Sequence, residues 1–144
     1  MTDVMNILSI DYGEKRIGFA IGDTERKIPN PLQVIQNNSI VSIIEEIKKI
    51  VLSYNVEKIV IGIPLNEDSS IGEQSNIVKE FSLIIEKELN IDVIGVDERF
   101  SSVDAEKLLL EQDMSRKKRK KIMDALAASI ILQRYFENDD LVNI

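Results

Sequence analysis

Asn6-Ile7-Leu8-Ser9-Ile10-Asp11-Tyr12-Gly13-Glu14-Lys15-Arg16-Ile17-Gly18-Phe19-Ala20-Ile21-Gly22 is the stretch that decides how this chain folds. Asn6 to Asp11 is a short apolar strand ending on a carboxylate, Gly13 offers the positive φ of a tight turn, and Arg16 to Gly22 is a second strand. The two form a hairpin. Alternation puts Ile17, Phe19 and Ile21 on one face of the second strand and Gly18, Ala20 and Gly22 on the other, where a neighbouring element can approach closely. Pro29 and Pro31 precede Leu32 to Gln36, which assigns a third strand there to a sheet edge.

Beyond the hairpin the period changes. Ile40, Ile43, Ile44, Ile47, Ile50 and Val51 recur at helical spacing behind Ser39, a plausible N-cap. Lys58 to Ile63 is a nearly continuous apolar run, as expected of a strand covered on both faces at the centre of a sheet. A polar loop, Pro64 to Gln74, leads to a second helix with Ile77, Val78, Phe81, Ile84, Ile85 and Leu89 on one face, then to a strand at Ile91 to Asp97. Ser101 and Asp104 resemble the N-terminal capping pair of a third helix with Leu108 and Leu109, and a last helix runs from about the basic run to Glu137. Two strand-helix-strand units after a hairpin predict a mixed α/β sheet with helices on its faces.

The chain has 144 residues, read as one domain over 1–144, and 44% of them are hydrophobic, enough for an ordinary core. No apolar run approaches membrane-spanning length, and Met1 to Asn6 carries no signal-like pattern, so the expectation is a cytoplasmic protein with no membrane partner. Without cysteine or histidine, thiolate zinc sites, cysteine nucleophiles and imidazole bases are excluded. Any catalysis here runs on carboxylates, hydroxyls, lysines or a bound metal.

The charge is unevenly distributed. The net value is −7, yet Arg116 to Lys121 is an unbroken run of six cations, so positive charge is concentrated where it can meet a polyanion. Asp124 follows within an apolar helical stretch, and Lys117, Lys120 and Lys121 lie on its side of the helix. A bland reading pairs Asp124 with Lys120 or Lys121 and leaves the run as a solvated face. If the first, fourth and fifth strands are parallel, however, Asp11, the Pro64 to Gln74 loop and Asp97-Glu98 emerge at one sheet edge, where open α/β sheets place their sites. Three converging carboxylates, Asp11, Glu98 and Asp124, suit Mg2+ or Mn2+ better than zinc, because hard cations take oxygen ligands. In a two-metal arrangement such ions activate the attacking water and steady the leaving oxygen without a histidine.

Four blocks carry a resemblance: Ile10-Asp11-Tyr12-Gly13-Glu14-Lys15-Arg16-Ile17-Gly18, Val60-Ile61-Gly62-Ile63-Pro64-Leu65-Asn66, Asp97-Glu98-Arg99-Phe100-Ser101-Ser102 and Asp124-Ala125-Leu126-Ala127-Ala128. In this order they resemble the signature blocks of the bacterial YqgF/RuvX family, over essentially the whole chain. The loop Glu67-Asp68-Ser69-Ser70 lacks the glycine usual in the family, and Met123 stands where a valine is common. The resemblance implies a ribonuclease H-like fold with a mixed five-stranded sheet and helices on both faces. It also implies a nuclease that matures the 5′ end of pre-16S ribosomal RNA, or a Holliday junction resolvase. By matching position, Asp11, Glu98 and Asp124 correspond to the family's acidic catalytic set, with Asp97 beside it.

The leading expectation is therefore a metal-dependent endonuclease of structured nucleic acid, precursor rRNA or branched DNA. Asp11, Glu98 and Asp124 would hold Mg2+ or Mn2+, and Lys15, Arg16, Lys117, Lys120 and Lys121 would contact phosphates. A resolvase would be expected to act as a two-fold homodimer on its two-fold substrate. A different class of reading keeps the fold and binding face as a noncatalytic ribosome-assembly module. A third sees in Asp11-Tyr12-Gly13 a local likeness to the phosphate loop of actin-like sugar kinases and chaperone ATPases, but one short domain cannot supply two lobes to close over a nucleotide.

Overall fold

The computed structural model describes residues 3–66, 72–98, 116–137 and 141–142. The expected helix at Ser101 to Leu109 and the loop Glu67-Asp68-Ser69-Ser70 lie outside the described residues. Strands β1 (Asn6–Tyr12), β2 (Arg16–Asp23) and β3 (Asn30–Gln36) come first. They are followed by α1 (Ile40–Tyr54), β4 (Val56–Ile63), α2 (Glu73–Leu89), β5 (Val93–Asp97), α3 (Arg116–Phe136) and a two-residue strand β6 (Leu141–Val142). The sheet order is β3-β2-β1-β4-β5-β6. The five expected strands are all present, with β6 added antiparallel beside β5.

β1, β4 and β5 run parallel, β2 is antiparallel to β1, and β3 is antiparallel to β2. The carboxyl ends of β1, β4 and β5 consequently share one edge. β3 does sit at the sheet's margin, with Pro31 opposite Ala20 beside a break in register between Phe19 and Ala20. A proline there costs no ladder bond to a further strand.

Strand alternation sorts the apolar residues into two cores. Leu8, Ile10, Ile17, Phe19, Ile59, Ile61 and Ile63 pack with Ile43, Ile47 and Ile50 of α1 and Val78, Phe81 and Ile85 of α2. On the opposite face Ile7, Val60 and Val96 meet Ile131 and Leu132 of α3. Ser39 caps α1 as expected, its hydroxyl accepting from the Ser42 amide at 3.2 Å. Both α1 and α2 end on an asparagine in the left-handed conformation, Asn55 and Asn90.

The glycines explain how closely α3 lies on the sheet. A Cβ at Gly18 would overlap the carbonyl of Asp124 and come within 2.9 Å of the Ala125 nitrogen. The bare face of β2 is thus the track on which α3 rests. Ser9, fully buried, donates its hydroxyl proton to the Ala128 carbonyl at 2.8 Å and fixes the same helix to β1. Gly13 corrects one expectation: no glycine has a positive φ. It is required instead because a Cβ would stand 2.5 Å from the Arg16 carbonyl oxygen, which accepts from the Gly13 amide to close the turn.

Candidate active site

Asp11 lies near the end of β1, and alternation with Ile7 and Ser9 turns its side chain to the α3 face. Glu98 follows the last residue of β5, its amide donating to the Ile63 carbonyl at 3.2 Å. It fills a notch: a Cβ on Gly62 would lie 2.6 Å from its Oε2 and 2.9 Å from its Cβ. Asp124 comes from α3, where Gly18 lets the helix backbone touch β2. Three elements distant in sequence thereby bring the three predicted carboxylates to one edge.

Their electrostatics show how tightly they are grouped. Burial pushes the Asp11 carboxyl above its ordinary value of 3.8, and the Asp124 charge adds to the rise, against the lowering effect of a hydrogen bond with Glu98. Glu98 is pushed well above 4.5, first by burial, then by the Asp11 charge and the same hydrogen bond, with Asp97 adding to the rise and Arg134 opposing it. A hydrogen bond joins the two carboxyls, lowering Asp11 and raising Glu98.

Asp124 has a partner far along the chain. Its Oδ2 accepts from Arg16 Nε at 2.7 Å, across 108 positions of sequence. Arg16, one of the expected phosphate contacts, therefore reaches the carboxylate cluster itself. Lys15 is exposed in the β1–β2 turn beside it. Lys117, Lys120 and Lys121 belong to the first turns of α3, and their side chains fall outside the described part. Asp97 is 6% exposed and pairs across the ladder with Ile63, so alternation directs its side chain to the α1–α2 face, away from Asp11.

Sequence reasoning missed Arg134. Its Nη1 donates to the Asp97 carbonyl at 2.7 Å, and its charge acts on Glu98. No local pattern announces an arginine near the carboxyl end of an amphipathic helix as part of a site 37 positions away.

Among the described residues no three acidic side chains form a ready-made cation site. Asp11 and Glu98 are bonded to each other, and Asp124 is bonded to Arg16. The donor set nevertheless suits a hard cation. It is all oxygen, and two of its members have carboxyls raised by burial and by neighbouring negative charge, the strain a cation relieves.

The sequence pattern of the RuvX family, described as Holliday junction resolvase, matches residues 5–138. The chain belongs to the RuvX family. A relative from Caldanaerobacter subterraneus subsp. tengcongensis is 43% identical over 135 residues, spanning 93% of this chain and 97% of its own length. One from Clostridium tetani is 42% identical over 134 residues, spanning 93% and 97%. Both bear the name "Putative pre-16S rRNA nuclease". Among solved structures, T. thermophilus RuvC in complex with a Holliday junction substrate superposes with a TM-score of 0.60 at 14% identity, covering 96% of this RuvX chain and 99% of RuvC. The fowlpox virus resolvase in complex with Holliday junction DNA gives 0.58 at 15%, covering 93% and 98%. At these identities the likeness establishes the fold, which is the ribonuclease H-like fold the resemblance implied.

Proposed function

We propose that this RuvX protein is a divalent-metal-dependent endonuclease that hydrolyses phosphodiester bonds in structured nucleic acid, with the 5′ end of pre-16S rRNA as its substrate. The observation that carries the reading is the convergence of Asp11, Glu98 and Asp124, the first two desolvated and hydrogen-bonded to each other. Such a cluster costs stability in the free protein and is useful to a protein that binds a cation there. The names of the relatives from Caldanaerobacter and Clostridium support the choice of RNA.

Asp11, Glu98 and Asp124 would hold Mg2+ or Mn2+. When bound, the metal would lower the pKa of a water to make a nucleophile and would stabilise charge on the phosphate. The chain's own groups do the rest. Glu98 would serve as a ligand in its ionised form, beside Asp11 and Asp124. Lys15, Arg16, Lys117, Lys120 and Lys121 contact backbone phosphates and hold the strand in register without reading sequence. The whole of 1–144 acts as one domain.

The test is incubation of purified protein with a precursor 16S fragment, and separately with a four-way DNA junction, in Mg2+, Mn2+ or excess chelator. Metal-dependent cleavage of the RNA, lost in Asp11→Asn, is expected. Robust cleavage in excess chelator would sink the mechanism, and tight binding without cleavage would return the protein to the noncatalytic class. The second reading, junction resolution by a homodimer, is favoured by the family's description and by the two junction-bound fold relatives. Preferential cutting of the junction would move the assignment there.

A further inference from the structure

The peptide unit between Asp97 and Glu98 is held at both ends. Its N–H donates to Ile63 O at 3.2 Å, and its carbonyl accepts from Arg134 Nη1 at 2.7 Å. The first contact comes from the neighbouring strand. The second comes from α3, the helix that also supplies Asp124.

This peptide is where the chain leaves the sheet. The β4–β5 ladder ends at Ile63 opposite Asp97, so Glu98 stands one residue past the last rung. Beyond its amide bond to Ile63, Glu98 has no ladder rung to fix the direction of its side chain. Two devices fix it instead. The Gly62 notch receives its Cβ and Oε2, with Ile131 Cδ1 closing the same space 2.5 Å from where a Gly62 Cβ would be. The Arg134 guanidinium then fixes the plane of the preceding peptide. Ile131 and Arg134 are three apart, so they lie on one face of α3, one packing beside the Glu98 side chain and the other bonding the Asp97 carbonyl that precedes it.

We propose that Arg134 is a positioning residue that sets Glu98 for cation binding by clamping the Asp97–Glu98 peptide to α3. The inference rests on the metal-dependent reading above. It makes α3 the frame of the site: Asp124 is carried on the helix directly, and Glu98 is tied to it through Arg134. Arginine suits the role because its planar fork loses little freedom per bond formed and its charge is permanent.

The experiment is calorimetric titration of Mn2+ into metal-free wild type, Arg134→Gln and Arg134→Lys, with melting curves of the metal-free proteins and kcat and KM on the precursor RNA. Arg134→Gln is expected to weaken Mn2+ binding by about 10-fold to 100-fold, the usual effect of removing a group that orients a ligand. Its kcat should fall while KM stays near wild type. Arg134→Lys should recover part of the loss, since an ammonium can reach the same carbonyl from a single point.

Wild-type Mn2+ affinity in folded Arg134→Gln overturns the clamp, whatever the melting temperature does. If Arg134→Gln does not fold, Arg134→Lys carries the test: reduced affinity supports the clamp and unchanged affinity overturns it. Wild type that binds no Mn2+ and cleaves nothing overturns this proposal together with the nuclease reading. Wild type that binds and cleaves beside an indistinguishable variant overturns the clamp alone.

Discussion

A carboxyl whose pKa rises on folding stabilises the fold in its protonated form and costs stability once ionised. Glu98 ordinarily titrates near 4.5 and stands well above that here, so the folded chain binds more protons than the unfolded chain between the two values. This contribution is complete below about pH 4.5 and is lost as pH rises through the folded value, opposite to a salt-bridged acid. Asp11, raised from 3.8, acts in the same direction. Glu98→Gln is therefore expected to match wild type in acid and to become the more stable protein as pH rises, while losing cleavage. Metal-free melting temperatures of both proteins across pH check this; a constant difference would mean Glu98 titrates normally. Asp124→Asn poses a separate question. It loses an ion pair whose arginine is 47% exposed, worth about 0 to 1 kcal/mol after screening, and it relieves repulsion with Asp11. Metal-free stability should stay within about 1 kcal/mol of wild type, cleavage should vanish, and Mg2+ should raise the wild-type melting temperature more than the variant's. An active variant would remove Asp124 from the site. Asp124 was legible in the sequence because a carboxylate among Ile122, Met123, Ala125 and Leu126 is costly without a purpose. Its partner was not, because helical spacing suggests only near neighbours and Arg16 arrives through the tertiary fold.

Elements follow from local pattern where one face is buried. The cap at Ser39, the apolar period of α1, the doubly covered β4 and the marginal β3 were all legible, because each depends on which residues must avoid water. The small-residue face of β2 was also legible, though its occupant was not. Gly13 shows the limit from the other side: a glycine in a turn suggests a positive φ, but here clearance from the Arg16 carbonyl is what demands it. Gly18 yields a prediction for the α3–β2 contact. Its missing Cβ faces backbone of Asp124 and Ala125, which cannot rotate aside as a side chain would. Gly18→Ala must therefore lift α3 or bend β2, at an expected cost of about 1 to 3 kcal/mol or more. The shift also carries Asp124 away from Asp11. Folded Gly18→Ala should accordingly cleave poorly even where melting curves show it fully native. Wild-type activity in a destabilised variant would mean the site tolerates displacement of the helix.

For the whole molecule, the question is how a chain of net charge −7 would bind the polyanion proposed as its substrate. Long-range attraction cannot come from the total, so it must come from where the cations sit. α3 begins with Arg116-Lys117-Lys118-Arg119-Lys120-Lys121 and carries Asp124 one turn later, so the basic run and one carboxylate of the cluster belong to the same helix. Strand directions were inferable from the connections, and with them the shared edge of Asp11 and Glu98. The three-way registration of α3, β1 and β5 was not, since it depends on the Gly18 contact, the Ser9 bond and the Gly62 notch acting together. If Lys117, Lys120 and Lys121 each neutralise a phosphate, replacing all three with glutamine removes up to three released counterions. The slope of log affinity against log salt should then flatten by up to about three units, with similar loss across unrelated sequences. Mn2+ affinity should change little, because the proposed phosphate contacts and the proposed ion ligands are different residues. Titrations of a precursor RNA fragment at several salt concentrations provide the measurement. An unchanged slope would make the run a solvated face and leave Lys15 and Arg16 as the proposed phosphate contacts. A loss confined to one sequence would mean that these lysines read bases.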